Sequence, residues 1–397
     1  MQLFLFLGSC LLAFLAGHMV NYSVIFLSLQ WFNSHTIVGL GYGLCFGPPL
    51  ILGWFAGVYC DRYSPRRVIL VAQNSFFVAL AFIWFAFNTQ PASDFRLGLL
   101  LVAALFSGIG WSFVAPARFA TLPYYVKNKS KITSATIALN LMVMMGFGLA
   151  PMLLKQIKFY FDWQAVLLTA GSMFAISTAL LLPLSFDFKS KTTDKAYTEI
   201  KNSLLFVKGS PLLKQLLLLT SIAYLLMGPM QVILPSIAKD NLALSDVAQG
   251  YYLSLVAFSL IVGGLLAMIL KNKGRLGWQL FQSIFFAGIG IGLLALIDNL
   301  AASVMILVLS SACGGIAISF IVAGLQRYSN DKHRGRIMSF YTIISQAIPA
   351  VSGVAAGLLA QAYSPIIAMM SISGLIVIAL LIASYFLYQV RQLVSFS

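Results

Sequence analysis

Twelve long apolar runs, each about 20 to 28 residues, alternate with short polar interruptions from one end of this chain to the other. They lack the period-two alternation of a membrane barrel strand. With backbone groups to be paired inside each segment, they read as helices that cross a bilayer. The pattern predicts helices near 3–30, 36–60, 67–88, 97–125, 133–155, 163–185, 212–236, 247–270, 276–297, 300–326, 336–360 and 365–389. The one long polar stretch falls near the middle of the chain. It divides the sequence into a six-helix bundle at 1–185, a cytoplasmic linker at 186–211 and a second six-helix bundle at 212–397. Shifting the chain by 205 residues aligns Lys131-Ile132 with Arg336-Ile337, Ser134 with Ser339, Gly110 with Gly315 and Gly148 with Gly353. The expected fold is all-α and polytopic, two pseudo-symmetric bundles, as in transporters built from repeats.

Composition turns that pattern into a statement about solvent. Of 397 residues, 60% are hydrophobic and 9% charged, against roughly 25% charged in soluble domains. Lipid must therefore solvate most of the chain. The net charge of +15 is distributed over the loops between runs, which excludes a nucleic-acid surface. Lysines and arginines crowd one set of loops, among them Arg62, Lys127, Lys208, Lys271 and Arg334, while Arg96, Lys155, Lys158 and Lys239 fall on the other. By the positive-inside rule both termini are expected in the cytoplasm. MQLFLFLGSC has the look of a lipoprotein signal, but no positive residue precedes Arg62, so it reads as the start of the first helix.

Several chemistries are excluded. Cys10, Cys45, Cys60 and Cys313 lie in or beside apolar runs without metal or disulfide spacing. Of the three histidines, His35 and His333 are expected on opposite sides of the membrane and His18 within it, so no clustered catalytic set forms. No phosphate-binding Gly-rich loop occurs. The expectation is a monomeric non-enzyme without metal or cofactor, whose partners are a small molecule, the bilayer and, as a candidate coupling ion, the proton.

Charge concentrates between the second and third runs as Gly57-x-x-x-Asp61-Arg62-x-x-x-Arg66-Arg67. Gly146-x-x-x-Ala150-Pro151 follows in the fifth run. The first motif resembles the loop between helices 2 and 3 of the major facilitator superfamily, with Ser64-Pro65 in its glycine region. The second resembles that family's antiporter motif, with Ala150 for a glycine. HRGRIMSFYTI and GPMQVILPSIAKDNLALSDVAQGYYLSL resemble the bacterial exporter branch containing enterobactin-type siderophore exporters and macrolide efflux pumps. The resemblance implies the major facilitator fold, alternating access, export, and a cytoplasmic gate at Gly57, Asp61, Arg62, Arg66 and Arg67. A siderophore or similar anionic metabolite leads as substrate; multidrug or macrolide efflux and lysolipid flipping stay open. Two features depart from the family: Ala104 stands where an arginine is frequent, and the loop at Lys271–Arg275 lacks an acid.

None of the ten acids lies in the middle third of a run, so the usual buried carboxylate for proton coupling is missing. His18 is the titratable candidate at depth, with Asn21 and Tyr22 on its face at i+3 and i+4. Ser107, Trp111 and Arg118 form a stripe whose arginine and aromatic suit an anion, or else the arginine snorkels to the cytoplasmic face. Asn140, Tyr224, Gln231, Tyr341, Ser345 and Gln346 complete the candidate cavity residues. Tyr224 with Gln231, and Tyr341 with Ser345, are expected to share helix faces.

Overall fold

The computed structural model describes residues 2–90, 93–126, 132–184, 205–270, 275–329 and 334–393. Among these, twelve helical spans, two of them interrupted, are long and apolar enough to cross a membrane, and none of the described residues is in a strand. By internal contacts the chain forms two units. Unit 1 comprises Met1–Asp194 with Ser245–Ser254; unit 2 comprises Lys195–Leu244 with Leu255–Ser397. The central segment read as a linker lies largely outside the described residues.

Unit 1 contains α1 (Gln2–Phe32), α2 (His35–Phe46), α3 (Pro49–Arg62), α4 (Pro65–Phe87), α5 (Asp94–Tyr125), α6 (Ile132–Tyr160) and α7 (Trp163–Leu181). Side-chain caps set several starts: Ser34 accepts from the Ile37 amide, Ser93 from Arg96 and Asp162 from Ala165. Pro49 and Pro65 sit where helix amides have no partner to lose. Asn33, at φ 45°, makes the turn between α1 and α2, a conformation asparagine tolerates. α1 packs against α2, α5, α6 and α7 and forms the spine of the unit.

The second predicted helix is two pieces. Pro48 and Pro49 supply no amide hydrogens, so the helix breaks after Phe46. The break docks on α5: a Cβ at Gly108 would lie 2.6 Å from Pro48 Cγ. Gly146 performs a similar service for α6. A Cβ there would meet the α1 backbone at Leu15 N, 2.9 Å away, so the glycine lets α6 lie directly on α1.

Unit 2 contains α8 (Pro211–Tyr224), α9 (Met227–Val232), α10 (Leu234–Ser236), most of α11 (Asp246–Leu270), α12 (Leu276–Leu294), α13 (Leu300–Tyr328), α14 (Arg334–Ala362), α15 (Pro365–Phe386) and the short α16 (Tyr388–Arg391). The helix expected over 212–236 is instead α8, α9, α10 and a π-turn at Ile237–Asn241. Pro229 and Pro235 each remove a helix donor, and Gly228 abuts α14, where a Cβ would sit 2.7 Å from Pro349 O. Tyr224 ends α8, so the regular helix needed to put Gln231 seven residues along the same face is interrupted.

Candidate functional site

Two rungs join α1 to α5 inside unit 1. In the first, the His18 ring lies 4.6 Å from the Trp111 ring. In the second, Ser107 Oγ donates to Asn21 Oδ1 at 2.6 Å. The helices run antiparallel there, since His18 to Asn21 ascends three residues while Trp111 to Ser107 descends four. Gly17 makes the first rung possible, because a Cβ would come within 2.8 Å of Trp111 Cζ2. The α6 approach set by Gly146 brings Phe147 edge-on to His18 at 5.4 Å and to 6.2 Å from Tyr22.

These side chains are buried, yet His18 Nε2, Asn21 Nδ2 and Trp111 Nε1 have no hydrogen-bond partner among the described residues. Buried polar atoms normally find partners. With Oδ1 engaged by Ser107, Asn21 offers only N–H donors, as does the Trp111 indole. Rings from Tyr22, Trp111 and Phe147 stand around them. The arrangement sets N–H donors among aromatic ring faces.

Arg118 occupies a different place in the same unit. It is 0% exposed, and its nearby ring is Phe14, 5.7 Å from the guanidinium carbon, rather than Trp111. Nη1 donates to Ser9 Oγ at 3.1 Å and Cys10 Sγ at 3.2 Å; Nη2 donates to Ser177 Oγ at 3.0 Å and Gln73 Oε1 at 3.3 Å. In this structure all these contacts are protein groups, neutral, and drawn from α1, α4 and α7. The snorkelling alternative does not describe so enclosed a side chain.

Of the gate motif, Gly57 falls within α3, and the Asp61 side chain lies outside the described residues. Arg62 and Arg67 are exposed, while Arg66 donates to the Leu182 carbonyl and so caps the end of α7. Among the α6 candidates, Asn140 is exposed and bonds back to Thr136 O, and Ala150 is buried.

In unit 2, Tyr224 and Tyr341 share a hydrogen bond of 2.7 Å between hydroxyls, beside the break after α8. Gln231 is buried, Ser345 bonds back to Thr342 O, and Gln346 Oε1 has no partner among the described residues. Tyr341→Phe removes one hydroxyl and leaves Tyr224 to find another. A net loss of about 1 kcal/mol is expected in detergent denaturation of the purified chain. An unchanged midpoint would mean the pair contributes nothing.

Sequence reading missed two buried cations. α6 continues to Tyr160 where a helix to 155 was expected, so Lys155 lies inside it with its amine 2.8 Å from Asp246. Arg96 is also buried, bonded to the carbonyls of Ala86 and Thr89. The spacing Lys155-x-x-Lys158, on one face, was the available signal. No cluster of metal ligands exists among the described residues. An open groove of about 400 Å³ between α4 and α7, lined by Phe77, Leu80, Trp84, Leu168, Gly171 and Ala175, is apolar and separate from the polar rungs.

Comparison with known proteins gives these features a frame. A family model described as Major Facilitator Superfamily matches residues 5–346. The enterobactin exporter EntS of Shigella boydii serotype 4 (strain Sb227) is 24% identical over 353 residues, covering 88% of this chain and 83% of that protein. The enterobactin exporter EntS of Salmonella choleraesuis (strain SC-B67) is 24% identical, with 87% and 82% covered. Among solved structures, a bacterial homologue of the human lysosomal transporter Spinster, inward-facing and unoccupied, superposes with a TM-score of 0.74 at 12% identity. It covers 98% of this chain and 96% of its own. A POT family transporter in complex with 5-aminolevulinic acid gives 0.76 at 11% identity, with 98% and 96% covered.

Proposed function

This chain belongs to the major facilitator superfamily, membrane transporters and not enzymes, and from that premise we propose that it exports an aromatic, oxygen-rich organic anion of siderophore type. The observation that carries the reading is the set of donors on Asn21 and Trp111 that have no partner among the described residues, enclosed by aromatic rings beside His18. Ring faces take up aromatic groups by stacking and edge contacts. N–H donors select ligands with carbonyl, phenolate or carboxylate oxygens. The likeness to enterobactin exporters over most of the chain supports the same class of cargo and the outward direction.

Alternating access in the bacterial inner membrane, with both termini cytoplasmic, completes the proposal. Arg62, Arg66 and Arg67 then stand at the cytoplasmic ends of α3 and α4, where bonds such as Arg66 to Leu182 can be made in one arrangement and released in another. His18 is the proposed proton carrier. A neutral imidazole keeps a lone pair on one ring nitrogen, and protonation converts that nitrogen to a donor facing a ring system that favours cations.

Flux of a catecholate siderophore into inverted vesicles tests this. A pH gradient is expected to drive uptake, and His18→Gln to reduce that component about tenfold, roughly 1.4 kcal/mol in the driven step. Equal flux with the gradient collapsed and with His18→Gln would overturn proton coupling through His18. No flux of any aromatic anion would overturn the cargo class.

A further inference from the structure

Two lysines converge on one carboxylate within unit 1. Lys155 Nζ lies 2.8 Å from Asp246 Oδ1, and Lys158 Nζ 2.7 Å from Oδ2. Lys155 also donates to Gln249 Oε1 at 3.2 Å and stands 4.4 Å over the Phe26 ring. Lys158 is 5.6 Å over the Trp163 ring, whose indole is held by Gln30 Oε1 at 2.8 Å. The backbones are close enough to place all of this: a Cβ at Gly250 would approach Pro151 O to 2.9 Å. The cluster lies toward the Phe32 end of unit 1, opposite the Arg62–Pro65 turn.

Exposure separates the members. The Lys155 side chain is 6% exposed and that of Lys158 23%, whereas that of Asp246 is 41% exposed. The cations are built into α6 and backed by rings on α1 and α7. The carboxylate arrives from the first turn of α11 and is the outlying partner. Two ammoniums 2.7–2.8 Å from the two oxygens of one carboxylate make a receptor for an anion with paired oxygens.

We propose that Lys155 and Lys158, with Gln249 and the rings of Phe26 and Trp163, form a site for aromatic carboxylates or phenolates, and that Asp246 is its internal occupant. An arriving anion displaces Asp246 and takes over both charge-assisted bonds. The exchange keeps the number of ion contacts constant, so the buried Lys155 charge is never left unpaired, which would be the costly intermediate. No covalent bond changes. The site is an anion station at this end of unit 1. That identity as an export station rests on the export reading above; the anion selectivity does not.

The full chain in detergent tests it by equilibrium dialysis with 2,3-dihydroxybenzoate and, as the neutral match, 2,3-dihydroxybenzamide. Asp246→Asn keeps the shape and removes the competing charge. It is expected to tighten benzoate binding about tenfold and to leave benzamide binding unchanged. Adding Lys158→Gln to Asp246→Asn is expected to reverse the gain. Unchanged benzoate affinity, or an equal gain for the amide, overturns the site. In the unaltered protein, benzoate is expected to slow acylation of Lys158 by a water-soluble amine-reactive ester; equal labelling with and without benzoate also overturns it. Vesicle export separates the two readings. A binding shift without any export counts against export alone, and export without a binding shift counts against this site alone.

Discussion

Replacing Gly263 with leucine is expected to abolish folded protein, and even Gly263→Ala to lower the detergent unfolding midpoint sharply. α11 and α13 cross inside unit 2 with two glycines as the contact. A Cβ at Gly263 would run into the Ala312 carbonyl, and a Cβ at Gly315 would run into the Leu260 carbonyl. Both obstacles are backbone, so no rotamer change relieves them. The helices must separate, and every contact around the crossing is lost with them. Overpacking of this kind costs about 1–3 kcal/mol for a methylene or two; a leucine exceeds it. Gly374→Ala on α15 is the control, since a Cβ there meets nothing within 4 Å. It is expected to leave the midpoint unchanged or raise it slightly, as alanine favours helix. Normal yield and midpoint for Gly263→Leu would show that the crossing is not close-packed in the protein.

Arg118→Ala is expected to have the next largest effect. A guanidinium buried without an acid among its bonded partners is costly, and what makes it tolerable is four neutral acceptors and the Phe14 face. Ser9 and Ser177 also bond each other at 2.9 Å, and Gln73 donates to Ser177 at 3.2 Å, so the arginine closes a network spanning α1, α4, α5 and α7. Alanine opens a cavity and removes one donor from each of those acceptors. The sum is about 3 kcal/mol or more. Arg118→Met refills the space without the charge and is expected to fall between alanine and the native protein. Thermal unfolding in detergent reads both. Identical midpoints for Arg118→Ala and the native chain would remove Arg118 from the stabilising core. Flux through a stable Arg118→Met variant then reports what the charge does for transport, apart from what it does for folding.

Much of the fold was legible because each span declares itself locally. Val68–Phe87 is uncharged, Pro65 precedes it, and α4 follows over Pro65–Phe87. Asp162 and Asn299 cap helices that begin one residue later. The breaks were harder. Pro48-Pro49, Pro229 and Pro235 were visible, yet prolines at 116, 123, 151 and 349 sit inside continuous helices. Whether a proline breaks a span depends on the neighbour that receives it, as Gly108 receives Pro48. The candidate residues divide the same way. His18 and Asn21 were identified by type and depth, but their partners Trp111 and Ser107 lie about 90 residues away in the chain, and periodicity cannot choose them.

The solvent, the number of spans, their helical state and the family can all be read along the chain. Each of these follows from sums over neighbouring residues: apolar length against membrane thickness, and backbone pairing within one segment. The folded packing shows that Ser9, Cys10, Gln73 and Ser177 enclose Arg118, that Lys155 is a buried cation clasping Asp246, and that Asn21 and Trp111 keep donors with no partner among the described residues. In lipid, one apolar helix face is nearly as well solvated as another, so hydrophobicity does not select partners. Close approach selects them, through glycines such as Gly17, Gly146 and Gly263, and those fits exist only between residues distant along the chain.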